Sequence, residues 1–305
     1  MSSAPPPRPP FSPIGIGSES RAPFAAVPDP VAVFARRAAR FAVCGGAGGL
    51  APYLGFLAAL TATQAALARS LPPVDPIPAD DATRAAGHGM PPIDRNRLRH
   101  DTALAATVMR FVETCGRLDL PDAGTAALGA LADAARRAQR IADVLEDAVP
   151  AEAVAEYVLV AAGVQLHLAR LAAGLPADGL VPVAEGTCPA CGGPPLASII
   201  VERNAAHGSR FCVCSACATE WNVVRVKCTL CGSTEGIGYQ EIAEAADGIQ
   251  AETCDAYRCY VKIFAQNEHP ELDATADDVA SLGLDLKLAD SAWRRGAVNP
   301  FLAGY

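Results

Sequence analysis

Apolar positions follow two different rhythms along this chain of 305 residues. From Val31 to Ala173 they recur every three to four residues, the spacing of helices with one buried face. Val31–Val43 reads as a short helix. Pro52 suits the first turn of the next, which runs to about Arg69 with Tyr53, Phe56, Leu57, Leu60, Gln64 and Leu67 near helical spacing. Leu71–Pro92 holds six prolines and reads as a connection. Asp94 is a predicted cap for a helix through Leu118, with Leu98, Thr102, Ala105, Met109 and Val112 along one face. Pro121 and Asp122 open another helix that ends before Pro150. Ala151–Ala173 is a further apolar helix, stopped by Gly174.

The rhythm changes at Leu175. Pro, Gly and Val replace alanine, and nine of the eleven cysteines crowd into Cys188–Cys259. Val-rich pieces such as Ser198–Glu202 and Trp221–Val226 read as strands. After Pro270 the pattern is helical again, with Asp273 as N-cap and Val279, Leu282, Leu286 and Ala289 as an apolar stripe to about Trp293. The predicted fold class is α+β: an all-helical N-terminal domain, tandem rubredoxin-like or zinc-ribbon modules, and a C-terminal helix. The boundaries are a flexible proline-rich lead (1–30, nine of the 25 prolines), the helical domain (31–174), a double four-cysteine metal-binding region (175–270), and a closing helix and tail (271–305).

Composition narrows the function classes. Half the residues are hydrophobic, enough for a core, and the formal charge is −8. Residues 181–270 hold six Lys or Arg against ten Asp or Glu. A phosphate-tracking surface needs the opposite sign, so a protein partner is the better reading than nucleic acid. Phe41–Ala68 carries no charge and follows Arg36-Arg37, which superficially suggests an export signal or a membrane span. Four glycines and Pro52 break its first half, and Thr61, Thr63 and Gln64 interrupt its second. The uninterrupted apolar run of about 18–20 residues that a span needs is missing, so no membrane insertion is expected.

The cysteine spacings carry the chemistry. Cys188-x-x-Cys191 is followed after 22 residues by Cys214-x-x-Cys217. Cys228-x-x-Cys231 is followed after 22 residues by Cys254 and then Cys259. A thiolate pair on a tight turn chelates one ion from one side, and a second pair returned by a hairpin closes the tetrahedron. Site one is thus assigned to Cys188, Cys191, Cys214 and Cys217. Site two is assigned to Cys228, Cys231, Cys254 and Cys259. Gly192 and Gly232 follow the second cysteine of each leading pair, where the chain must turn tightly. Four thiolates suit iron or zinc equally. Disulfides fit poorly with an odd cysteine count, and a thioredoxin-type dithiol needs a single pair at a helix start. Cys212 is a spare thiol beside site one, able to exchange with Cys214. Cys44 and Cys115 read as ordinary apolar residues.

Other residues have plainer readings. His88, His100, His167, His207 and His269 form no ligand spacing, and His167 reads as a satisfied core residue. Gly45–Gly49 lacks the ending of a phosphate loop and reads as a turn. Asp80-Asp81 and Asp277-Asp278 are explained by capping and solvation. Glu220, Trp221 and Arg225 are candidate partner contacts; the alternative is that Trp221 packs beneath the metal knuckles and Arg225 offsets thiolate charge.

The run Cys188-Pro-Ala-Cys191-Gly, then Arg210-Phe-Cys-Val-Cys214-Ser-Ala-Cys217-Ala-Thr-Glu-Trp221-Asn-Val-Val-Arg225-Val-Lys-Cys228, resembles the formate dehydrogenase accessory protein family, FdhE. So do Glu252-Thr-Cys254-Asp, Tyr260-Val-Lys262-Ile, Ala276-Asp-Asp-Val-Ala-Ser-Leu and Asn299-Pro-Phe-Leu302. The resemblance runs from about residue 186 to 302; before residue 175 it is one of helical layout. It implies two rubredoxin-like modules that bind iron, and a cytoplasmic, non-enzymatic role in maturing formate dehydrogenase. The partner implied is the catalytic subunit before its twin-arginine export, either held until assembly is complete or adjusted in redox state. The family's last pair is C-x-x-C, which would place a cysteine at 257, where this chain has Tyr257. Site two then uses Cys259 through a longer turn, keeps three thiolates, or is lost. The rival readings are an iron electron-transfer protein and a zinc-ribbon nucleic-acid factor.

Overall fold

The structure, a computed structural model, describes residues 22–302 apart from 47, 151, 204–205 and 242–247. The helical region opens with α1 (Pro30–Cys44). Asp29 accepts from the N–H groups of Val31 and Ala32, and Pro30 occupies the first turn. α2 (Ala51–Ser70) places Pro52 as the sequence predicts.

The connection predicted over 71–92 contains a helix, α3 (Ala79–Gly87). It buries no residue, so it offers no apolar stripe. Asp80 and Asp81 in its first turn and Arg84 in its last complement the helix dipole.

The helix predicted from Asp94 to Leu118 is instead two. α4 (Arg95–Leu98) is capped by Asp94, and α5 (Thr102–Cys115) is capped afresh by Asp101. The second cap resets the phase. Leu104, Val108, Phe111 and Cys115 face the core, while Thr102, Ala105 and Met109 face solvent. The next predicted helix also divides, into α6 (Asp122–Leu131) and α7 (Ala134–Leu145), where Asp133 supplies a new cap.

The centre of this region is α8 (Val154–Ala173), with sixteen of its twenty residues buried. Ala151, the predicted start, lies outside the described residues. The buried polar groups of α8 are satisfied. His167 Nδ1 lies 3.0 Å from Thr107 Oγ1, and Gln64 Nε2 donates to the Ala162 carbonyl at 2.8 Å. Glu156 accepts from Arg136 and Arg140, each at 2.9 Å. Burial holds His167 down at about 4, so it is a neutral core histidine. α2 and α8 are each long and apolar enough to cross a membrane, but the most apolar window of α8 is 83% buried within the protein. It is the axis of a helical core.

The remaining chain forms one mixed sheet. β2 (Pro195–Val201), β3 (Ser209–Cys214) and β4 (Glu220–Val223) make one antiparallel meander. β5 (Ile237–Gln240), β6 (Ile249–Cys254) and β7 (Cys259–Ala265) make a second. They join through parallel pairing of β2 with β7, with Ser198 opposite Ile263 and Ile200 opposite Ala265. The order is β1-β4-β3-β2-β7-β6-β5, where β1 is Ala25–Ala26. The end of the predicted flexible lead is therefore a strand on β4, and residues 1–21 lie outside the described ones.

The predicted closing helix is broken at Ser281 into α9 (Ala274–Ala280) and α10 (Leu282–Ala289). The Ser281 hydroxyl donates back to the Asp277 carbonyl at 2.6 Å, a local bond that competes with helix propagation. The break shifts the stripe, so Leu284 and Leu288 are buried while Leu286 and Ala289 are exposed.

Asp277 and Asp278 are buried rather than solvated. Asp277 pairs with Arg40 of α1 at 2.7 Å. Asp278 pairs with Lys262 at 3.1 Å, with Arg295, and with the Asn299 amide at 2.8 Å. Arg36 and Arg37, the apparent export pair, lie within α1 near Asp273. These ion pairs clasp the C-terminal helices to both the helical core and the sheet.

Candidate metal centres

Site one is built by two knuckles on neighbouring strands. Cys188 and Cys191 flank the turn before β2. Cys214 ends β3, and Cys217 follows on the turn into β4. Their sulfurs all lie within 4.8 Å of one another, with Cys188–Cys217 at 3.6 Å and Cys191–Cys214 at 3.5 Å. A tetrahedron with metal–sulfur bonds of about 2.3 Å has edges of about 3.8 Å, so the four sulfurs stand close to its corners. Backbone geometry supports them. Gly192, at φ 72°, donates its N–H to the Cys188 carbonyl at 2.9 Å. The N–H groups of Ala216 and Cys217 both point at Cys214 Sγ from 3.4 Å.

The four residues are between 0% and 2% exposed. Burial opposes a thiolate at Cys214. Hydrogen bonds from Cys188, Cys191 and Cys217, and from the Cys217 N–H, outweigh it and hold Cys214 well below the ordinary thiol value. Burial, together with those same bonds, pushes Cys188 well above it. Four buried sulfurs this close together become four thiolates only with a cation among them.

Site two repeats this layout 40 positions later. Gly232, at φ 77°, donates to the Cys228 carbonyl at 3.0 Å, as Gly192 does to Cys188. Cys231 and Cys254 stand 3.7 Å apart, matching Cys191 and Cys214. The Tyr257 N–H points at the Cys254 sulfur, as the Cys217 N–H does at Cys214. Ala218 and Arg258 follow with φ of 59° and 53°. Tyr257 thus occupies the place of the fourth ligand, with the knuckle backbone retained and its side chain exposed.

Cys259, the fourth ligand assigned to the second site, stands just outside the tight group of the other three. Only the sulfurs of Cys228, Cys231 and Cys254 lie within 4.8 Å of one another. The two-residue displacement moves the fourth thiol off the knuckle onto the first residue of β7, opposite Cys254. From there it hydrogen-bonds Cys228, which its donation holds down at about 4 against the effect of burial. The donor set remains four sulfurs, three clustered and one adjoining, and it fits a thiolate-bound ion.

The other cysteines stay apart. Cys212 faces Ser198 Oγ at 3.7 Å, and burial pushes it up to about 11. Burial pushes Cys115 up to about 12. Cys44 is half-buried, with its sulfur 3.7 Å from Asp277 Oδ1.

Among the predicted partner contacts, Trp221 is 5% exposed and pairs with Cys212 and Ala25 across the sheet. Glu220 is engaged by Arg203 at 2.6 Å. Arg225 is exposed between the exposed Val224 and Val226.

Sequence reasoning missed the bond between the modules. Arg210 of β3 makes a bidentate pair with Glu252 of β6 at 2.8 and 2.9 Å, both buried. It also donates to Ser198 Oγ at 3.0 Å and to the carbonyls of Arg225 and Lys227. The one signal was a charged residue placed inside a buried strand.

The comparisons with known proteins agree with this architecture. The FdhE N-terminal model matches residues 22–185, the central-domain model 187–225 and the C-terminal-domain model 226–302. The chain belongs to the FdhE family. A Protein FdhE homolog of Rhizobium meliloti is 44% identical over 294 residues, covering 95% of this chain and 96% of the relative. One from Yersinia enterocolitica is 32% identical over 260 residues, covering 83% and 82%. The crystal structure of the FdhE protein from Pseudomonas aeruginosa matches with a TM-score of 0.81 at 30% identity, covering 92% of this chain and 99% of that one. The division of the family into N-terminal, central and C-terminal parts falls on the helical core, the first meander and the second meander. This chain is an FdhE accessory-family member with two cysteine clusters arranged to hold metal.

Proposed function

We propose that this protein acts in the cytoplasm as a non-enzymatic accessory factor that binds the catalytic subunit of formate dehydrogenase before its twin-arginine export. The double meander, loaded with metal, is the binding region. The partner class is our reading of the sequence resemblance to formate dehydrogenase accessory proteins. The observation that carries the non-enzymatic reading is the closure of site one. Its four sulfurs fill a tetrahedron and are at most 2% exposed, so an ion held there has no open position for a substrate. Iron is the proposed metal, following the family resemblance; zinc fits the same donors. Held by four thiolates, iron supplies a one-electron couple and zinc supplies rigidity alone. A redox contribution is favoured by one observation: Cys231 is half-buried, so site two approaches the surface.

The test is anaerobic affinity purification of the tagged full-length protein from a formate-grown host, with metal counted on the same sample. The expected result is the catalytic subunit, identified by mass spectrometry, together with two metal ions per chain. Metal-loaded protein without that subunit would overturn the proposal.

A further inference from the structure

The two meanders differ where the repeat should match most closely. At the fourth-ligand place the first has Cys217, which is fully buried, and the second has Tyr257, which is 46% exposed. The thiol has moved to Cys259, yet the knuckle keeps its conformation. Arg258 sits at φ 53°, a region where a non-glycine residue is uncommon. The second knuckle therefore projects Tyr257 and Arg258 outward.

They open onto a cleft of about 790 Å³ between β7 and α10, whose lining includes Leu286, Trp293, Arg294 and Arg295. The Arg294 guanidinium lies 5.7 Å from the centre of the Tyr257 ring, and Trp293 is anchored by its indole N–H to Asp255 at 2.9 Å. Leu286 is 59% exposed.

Charge sets this face apart from the rest of a chain with a formal charge of −8. The lining carries three arginines and one acid, Asp285, and that acid is already engaged by Lys262 at 2.6 Å and Arg295 at 2.6 Å. Arg258 and Arg294 are exposed and pair with no acid among the described residues. Exposed Tyr and Arg beside a half-buried Trp, around an apolar floor, form the composition of an interface centre.

We propose that this cleft beside site two is a docking surface for an acidic, partly apolar segment of a partner polypeptide. Arg258 and Arg294 would receive its carboxylates, and Tyr257, Trp293 and Leu286 its apolar side chains. The proposal deepens the function proposed above and rests on it for the partner's identity. It places the contact at the second meander rather than at Glu220 and Trp221.

The test compares the full-length, metal-loaded wild type with R258E/R294E and R258K/R294K. Each is measured for capture of the formate dehydrogenase catalytic subunit, and for direct binding of a labelled twelve-residue peptide of alternating Glu and Leu and of an RNA duplex. The expected result is at least a tenfold loss of both the subunit and the peptide in R258E/R294E, with metal content unchanged. R258K/R294K should bind within a few fold of wild type, and binding should weaken with added salt. Subunit capture by R258E/R294E equal to wild type would overturn the docking surface and leave the accessory function standing. Loss of peptide binding in R258E/R294E, with no subunit captured even by wild type, would overturn the accessory function and support the surface. Absence of both, or RNA bound in preference to the peptide, would overturn the surface.

Discussion

Replacing Cys188 with Ser is expected to unfold the protein, not merely to empty one site. Cys188, Cys191, Cys214 and Cys217 belong to the same apolar core as Leu159, Leu166 and Phe111 of the helical region. The knuckles are also tied to that region by backbone bonds. The Ile93 N–H donates to the Ala190 carbonyl at 3.0 Å, and Gln165 of α8 donates to the Ser215 carbonyl at 2.7 Å. Structural metal binding is worth on the order of 10 kcal/mol to folding, as large as the whole net stability of a typical domain, roughly 5–15 kcal/mol. Losing it at this junction leaves buried polar thiols and a detached sheet. The same change at Cys231 should behave differently. That residue is half-buried in a small outlying cluster with Cys228, Cys254 and Cys259. C231S should lose one metal ion and keep its helical circular dichroism and its site-one metal. Metal analysis with thermal unfolding of both variants separates these outcomes; equal behaviour would contradict the division of roles.

The second large effect is expected at Arg210. Its guanidinium is fully buried and joins the two meanders through Glu252. Removing one partner of such a pair leaves an uncompensated charge and costs about 3–5 kcal/mol. Burial already pushes Glu252 above the usual carboxylate range with Arg210 in place. Without the arginine it would be driven to take a proton. R210M should therefore lower stability in urea by that amount. R210M/E252M should recover most of the loss, since an apolar pair of similar volume avoids the desolvation penalty. Arg210 also holds the carbonyl of Lys227, the residue before Cys228, so R210M should lower metal occupancy at site two before site one. An R210M protein with wild-type stability would show that the pair contributes nothing to the joint.

The sequence was most readable where one signal dominates. α1, α2 and α8 follow their apolar spacing and their Asp, Pro and Gly boundaries. Site one follows from ligand interval alone. Readability failed where two signals competed. Asp94 and Asp101 are both good caps seven residues apart, and spacing alone did not show that the second resets the phase of α5. α3 has no buried face, so only its terminal charges announce it. Asp277 and Asp278 read as solvated acids because their partners, Arg40 and Lys262, are distant in sequence and come from two different elements. The same holds for Arg210 and Glu252. β1 is two residues long, and its pairing is decided by β4 rather than by its own composition. At site two the shifted interval signalled a departure. The repeated backbone shows its form: the knuckle is kept, the fourth thiol is displaced to β7, and the vacated place is given to a surface tyrosine.

X-ray absorption at the metal edge of the anaerobically purified full-length protein, with metal counted on the same sample, tests the central structural claim most directly. The account predicts two ions per chain, each with a first shell of sulfur alone at about 2.3 Å. One ion per chain, or nitrogen and oxygen in the averaged shell, would contradict it and show that Cys259 does not serve the second site.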